Sequence, residues 1–371
     1  MGNLFDYLKW RADISLSVKP FNEVDNLLLA GLSYTVFDGI LSDSGEFKPL
    51  AEVADAFFSA HPREDIQKET GFMYRAPLLM DGMLSGERFH DMKLGYYINE
   101  VDSDVNAQIS AVTFLTDDGC AYIAFRGTDS TLTGWREDFN LSYLPVTPGQ
   151  KHARDYLNRV GSVLPLPLRV GGHSKGGNFA VYASAFCERS IRDRITAVYT
   201  NDGPGFRDEV IGSEEYQQII PKVQSIIPDT SVIGLLLSNT FPHHVVKSTA
   251  SGLMQHDPSS WIIDRDRFED AELSDTGQFL DKTLDDWIGS LDNEERQSLT
   301  ESVFTLLSST GVDTFHEMSQ QKFKSTMAVL TALSKLPKDR QAELLKHGGN
   351  LIQSSSQNAR SQFYDKGTSQ T

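Results

Sequence analysis

The residues best suited to chemistry converge on one serine. In Arg169-Val170-Gly171-Gly172-His173-Ser174-Lys175-Gly176-Gly177, Ser174 stands two residues from a glycine on either side. An apolar run precedes this stretch and a helical pattern follows it, so it reads as a strand end, a sharp turn and a helix start with the serine at the apex. That is the pattern of a nucleophile elbow. The turn is strained, and a β-carbon two residues before or after the serine would strike a neighbouring element, so glycine suits both places. The N-terminus of the following helix favours negative charge developing at the serine. Taken alone, the pentapeptide also fits an ordinary glycine-rich loop between a strand and a helix.

A serine nucleophile needs a base, a carboxylate to orient that base, and donors for an oxyanion. The carboxylate has two candidates. Asp229 follows the apolar segment 222–227, two expected strands after the elbow, and Asp202 follows the segment 195–200, one strand after it. Strand counting favours Asp229. Asp202 also reads as a turn residue in Asp202-Gly203-Pro204-Gly205, where aspartate is common for turn reasons alone. The base is expected in the loop after the last strand, which selects His256 in Gln255-His256-Asp257-Pro258 over His243 and His244. His173, inside the elbow, is expected to point away from the serine. The first oxyanion donor is the backbone N–H of Lys175, the residue after the nucleophile. Gly127-Thr128, at the end of an earlier strand, supplies a second candidate in Thr128, though a capped glycine turn accounts for the local sequence equally well.

These residues need a scaffold, and the hydrophobic pattern supplies one. Helical spacing starts at Asn22 and runs through Leu27, Leu28, Leu32 and Phe37. It recurs over 49–62 and, with a loop, over 64–84. The sheet is expected to begin near Tyr96. A hairpin through Asp117-Asp118-Gly119 joins the strand 108–115 to 120–125. Amphipathic helices are then read around Trp135 and Phe139 and over 150–164, and strands at 168–170, 195–200, 222–227 and 245–248. This alternation predicts an α/β fold, a mostly parallel central sheet with helices on both faces. Acidic helical patterns follow at 264–283 and 294–310, with further helices over 317–346. The Ser/Gln/Asn-rich end is expected to be disordered. The boundaries are accordingly 1–288 for the α/β domain, 289–347 for a C-terminal helical extension and 348–371 for the tail. The segment Ser231–Leu237 is more apolar than a surface loop requires, and reads either as a buried helix face or as a lid or acyl-binding wall.

Composition narrows the function. A net charge of −17 argues against nucleic acid and against docking on anionic lipid through a basic patch. Two cysteines, Cys120 and Cys187, make a disulfide scaffold unexpected. No apolar run reaches transmembrane length, and the N-terminus carries no basic or apolar leader pattern. A cytoplasmic protein is the expectation. No cofactor and no metal are called for.

Together, Phe125-Arg126-Gly127-Thr128, Trp135, Asp138 and Gly172-His173-Ser174-Lys175-Gly176-Gly177 resemble the class 3 (fungal-type) lipases of the α/β-hydrolases. Lys175, the segment Asn201–Phe206 and Gln255–Trp261 look like a bacterial lipase-like offshoot of that group. The resemblance spans about residues 15–265. It implies an α/β-hydrolase fold, Ser174, Asp229 and His256 as a triad, Thr128 as oxyanion donor, and a small-molecule or lipid ester as substrate. It also implies a structural role for Asp202. Lysine stands where class 3 lipases usually have leucine, which detaches the chain from triglyceride as its natural substrate. Two other uses of the fold remain: a non-catalytic binding protein, and acyl transfer through the same triad.

Overall fold

The computed structural model describes residues 2–69, 71–102, 107–129 and 132–308, with scattered helical residues between 333 and 358. The chain divides into two compact units. The first holds 1–100, 109–127 and 148–273; the second holds 101–108, 128–147 and 274–371.

The first unit carries the sheet. Its strands are β1 (Phe47–Pro49), β2 (Lys93–Asp102), β3 (Ala107–Leu115), β4 (Ala121–Phe125), β5 (Leu168–His173), β6 (Ile195–Asn201), β7 (Val223–Pro228) and β8 (His243–Val246), and they lie side by side in chain order. β1–β2 and β3–β4 pair antiparallel, whereas β4 through β8 are parallel. The expected sheet began near Tyr96; β1 was missed because three residues leave no alternation to read.

The helices of this unit longer than one turn are α1 (Leu4–Arg11), α2 (Glu23–Leu32), α3 (Leu50–Ala60), α4 (Leu79–Leu84), α5 (Pro148–Val163), α6 (Lys175–Phe186) and α7 (Glu214–Ile219). Asn22 starts α2 as expected. Its side chain accepts from the N–H groups of Val24 and Asp25, and the Asp25 carboxylate accepts from the Asn22 N–H, a reciprocal cap. Arg88 forks onto the same buried carboxylate, and Tyr7 donates to it at 2.8 Å. The helix predicted over 49–62 is α3, with Leu50, Val53, Ala54, Phe57 and Phe58 buried. The helix and loop expected over 64–84 break into several short turns ending in α4.

Successive residues of β5 show both faces of the sheet in use. A β-carbon on Gly171 would lie 2.1 Å from the Tyr122 hydroxyl and 3.0 Å from Asn26 of α2. One on Gly172 would lie 2.3 Å from the backbone of Gly176, in α6. α5 and α7 pack on α6. The fold is therefore the expected α/β-hydrolase arrangement, a mostly parallel sheet between helices.

Residues 263–268 depart from the expected helix over 264–283. They form a short hairpin, Ile263–Asp264 with Arg267–Phe268, turning at Arg265 with φ +64°. A helix begins only at Asp275, capped by the Ser274 hydroxyl.

In the second unit, Leu132–Asn140 packs against Asn293–Ser308, with the Phe139 and Phe304 rings 5.5 Å apart and edge-on. Arg296 donates to the carbonyl of Ser142 at 2.8 Å. Besides 274–371 this unit takes in 101–108 and 128–147. Of the expected tail, Asn358 is helical and donates to Asp286 at 2.9 Å. Residues 359–371 and nearly all of the helices expected over 317–346 lie outside the described residues. Among the described residues no helix is long and apolar enough to cross a membrane.

Candidate active site

Ser174 lies between β5 and α6, as the residue that precedes the helix, and its backbone stands at φ +59°, ψ −134°. A non-glycine residue there is strained, and its surroundings must hold it. The Ser174 N–H donates to the Asn201 carbonyl at 2.9 Å, and its carbonyl accepts from the Gly177 N–H at 2.8 Å. The glycine spacing has the expected steric cause. A β-carbon on Gly176 would stand 2.1 Å from the Phe125 carbonyl oxygen, and one on Gly172 would meet Gly176. Gly127 passes equally close on the β4 side, where a β-carbon would lie 3.0 Å from the Ser174 β-carbon and 2.6 Å from the His173 carbonyl oxygen.

Buried amides tie the neighbouring strand end to this turn. Asn26 of α2 donates to the Asn201 side chain at 2.8 Å, and Asn201 donates to the Gly172 carbonyl at 2.9 Å. On the far side of the sheet, Asn178 of α6 donates to the carbonyls of Pro204 and Gly205, which presses the loop after β6 onto the elbow.

That loop begins with Asp202, and the structure pairs this carboxylate, rather than Asp229, with His256. His256 lies at the end of a 3-10 turn, Gly252–His256, and its Nδ1 meets the Asp202 carboxylate at 2.6 Å. Asp202 is 1% exposed and adopts φ +49°. Its other oxygen accepts from the Ser231 hydroxyl at 2.5 Å and the Gly234 N–H at 3.1 Å. Burial alone would push the Asp202 carboxyl up. The hydrogen bonds from His256 and Ser231 outweigh it and hold the carboxyl below its usual value.

Asp229, the acid preferred from sequence, follows β7 and does not bond to His256. Its carboxylate accepts from Gln255 Nε2 at 2.8 Å and from the Thr230 hydroxyl at 3.0 Å. Gln255 in turn accepts from the Thr230 N–H at 2.8 Å. Asp229 thus holds the residue before His256, and the loop, rather than the imidazole, is what it anchors.

A carboxylate only accepts, so Nδ1 of His256 carries the proton and Nε2 presents a lone pair. No hydrogen bond joins the Ser174 hydroxyl to His256 among the described residues, and such contacts are often long before substrate binds. His173, expected to point away from the serine, turns its ring to His256, with centroids 4.5 Å apart. Its Nε2 bonds the His256 carbonyl oxygen and its Nδ1 the Tyr34 hydroxyl, each at 2.8 Å. Burial, and then the charge of His256, push the His173 imidazole down to about 3.

The other sequence candidates have side-chain surroundings of their own. His243 bonds Ser225 at 2.8 Å, and burial pushes its imidazole down. His244 sits between Glu23 and Asp270, whose hydrogen bonds push it up to about 9. Thr128 belongs to the second unit, where its hydroxyl donates to Asp138 at 2.6 Å. Lys175 is buried, its ammonium 5.5 Å from the Phe179 ring centre. Ser231–Leu237 is a run of turns rather than a helix face. Ser231 and Gly234 donate to the Asp202 carboxylate, a contact that the apolar composition of the segment concealed.

Residues 83–305, more than half of the chain, match the Mbeg1-like family. The chain belongs to that family. The matched stretch contains Ser174, Asp202 and His256. No curated protein matches the chain. Among solved structures, a fungal lipase–inhibitor complex aligns with 66% of this chain and 79% of its own, at 14% identity and a TM-score of 0.36. M37 lipase aligns with 58% and 70%, at 12% identity and 0.35. A Rhizomucor miehei lipase propeptide complex aligns with 57% and 75%, at 15% identity and 0.33. At this level of similarity they bear on neither substrate nor residue roles.

Proposed function

We propose that this protein is a serine hydrolase of carboxylic esters, with Ser174 as nucleophile, His256 as base and then acid, and Asp202 as the orienting carboxylate. The observation that carries this reading is the 2.6 Å contact of His256 Nδ1 with a fully buried Asp202, one strand from a serine in a strained strand-to-helix turn. The Nε2 lone pair takes the Ser174 proton as Oγ attacks the ester carbonyl. Asp202 stabilises the imidazolium that results. The oxyanion is met by the backbone N–H of Lys175 at the start of α6. His256 then returns the proton to the leaving alkoxide, and water, deprotonated by the same imidazole, hydrolyses the acyl-enzyme. The substrate is a small-molecule or lipid ester, met in the cytoplasm.

Labelling with a fluorophosphonate probe tests the assignment. The wild-type protein is expected to react rapidly and Ser174→Ala not at all. Equal labelling of the two would remove the serine from the chemistry. A panel of esters of graded acyl length would then define the substrate.

A further inference from the structure

We propose that His173 is a positioning residue for His256, a neutral imidazole held in one tautomer that ties the base to the same strand end as the nucleophile. The proposal rests on the Ser174–His256–Asp202 reading above and adds a member to it. His173 Nε2 faces the carbonyl oxygen of His256 at 2.8 Å. A carbonyl only accepts, so Nε2 carries the hydrogen. Nδ1 is then the lone pair, and the Tyr34 hydroxyl donates to it at 2.8 Å. Both ring nitrogens are therefore committed, and the orientation of the ring is set.

The contact is aimed at the base in two ways. The hydrogen bond holds the His256 backbone, and the His173 ring lies against the His256 ring at 4.5 Å, tilted 33°. His173 is the last residue of β5, in register with Asn201 of β6, and it directly precedes Ser174. Its backbone thus carries the nucleophile while its side chain carries the base. Errors in their separation are limited to the flexibility of one residue, which matters because a misplacement of about 1 Å costs about 10²-fold in rate.

Tyr34 is itself fixed. Phe72 packs edge-on to its ring, and a β-carbon on Gly127 would fall 2.3 Å from its hydroxyl. The Phe72 N–H also donates to Asp257, the residue after His256, at 3.1 Å. A cation at His173 would oppose the imidazolium that His256 must become. Burial keeps His173 neutral, with its imidazole near 3.

Three variants test this: His173→Phe, which keeps a ring and loses both hydrogen bonds; His173→Gln, whose amide N–H reaches toward the same carbonyl; and Tyr34→Phe. Each is measured for Tm, for kcat and KM on a soluble ester, and for the downfield Nδ1–H proton resonance of His256, identified by its loss in Asp202→Asn. His173→Phe is expected to lower kcat by about 10²-fold at unchanged KM, and to broaden the His256 resonance by exposing it to exchange. His173→Gln is expected to recover most of both, and Tyr34→Phe to lie between. A His173→Phe protein with wild-type kcat and a sharp resonance overturns the proposal, as does a loss that follows Tm alone and is not recovered by glutamine. If wild type lacks Ser174-dependent turnover, the hydrolase reading fails separately. The resonance still decides the His173 contact.

Discussion

Two carboxylates stand at the ends of adjacent parallel strands, Asp202 after β6 and Asp229 after β7, and the molecule uses them differently. Asp202 is fully buried and meets His256, Ser231 and the Gly234 N–H. Asp229 is half-buried and meets Gln255 and Thr230. A buried charge needs donors on every side, and the donors around Asp202 supply them. The contrast separates the orienting of an imidazole from the anchoring of the loop that carries it. The first requires a negative charge in contact with Nδ1–H. The second requires only an acceptor for an amide.

The largest expected effect comes from Asp202→Asn. It should lower kcat/KM by about 10⁴-fold, because an amide either donates to Nδ1 or fails to stabilise the imidazolium. Steady-state kinetics beside Asp229→Asn would break the contrast if the second variant fell as far. Gln255→Ala removes the link between Asp229 and the His256 loop, and should lower kcat by about 10- to 10²-fold through misplacement of the base. Asp229→Asn itself keeps an acceptor oxygen for Gln255, so turnover should stay within about tenfold of wild type, the exchange of a charge-assisted for a neutral hydrogen bond being worth about 1 kcal/mol.

Stability against acid sharpens the same contrast. The Asp202 carboxyl is held below its usual value in the folded protein. It therefore contributes stability that is fully present above the unfolded-state value of about 3.9 and is lost as pH falls through the lower, folded value. Ser231→Ala removes one of the donors responsible, so its loss of Tm relative to wild type should shrink in strong acid, where Asp202 is protonated. A Ser231→Ala penalty that is independent of pH would argue that the hydroxyl packs without tuning the charge.

Much of the candidate site was legible before the fold. Ser174 stood out through glycines whose β-carbons would collide with backbone, a steric rule written into five residues. His256 was selected by its place after the last strand. The carboxylate that His256 meets did not follow. Strand counting assumes that each strand end contributes in a fixed order, and Asp202 also fitted a plain turn. Its φ of +49° belongs to a backbone conformation that aspartate adopts in turns and that sequence does not announce. His173 was missed because a residue inside an elbow has two sides available, and the signal that chooses between them is Tyr34, 139 positions away.

Periodicity was informative where helices were long and one-sided, as in α3. It failed where elements were two or three residues long, as in β1 and the hairpin at 263–268. The sequence by itself determined the sheet, the strained serine and the inventory of groups able to act on it, because alternation, helical spacing and glycine sterics are local. Only the tertiary structure decided which carboxylate and which second imidazole meet His256. Those contacts join segments tens of residues apart, and burial and backbone direction, rather than residue type, choose among chemically equal candidates.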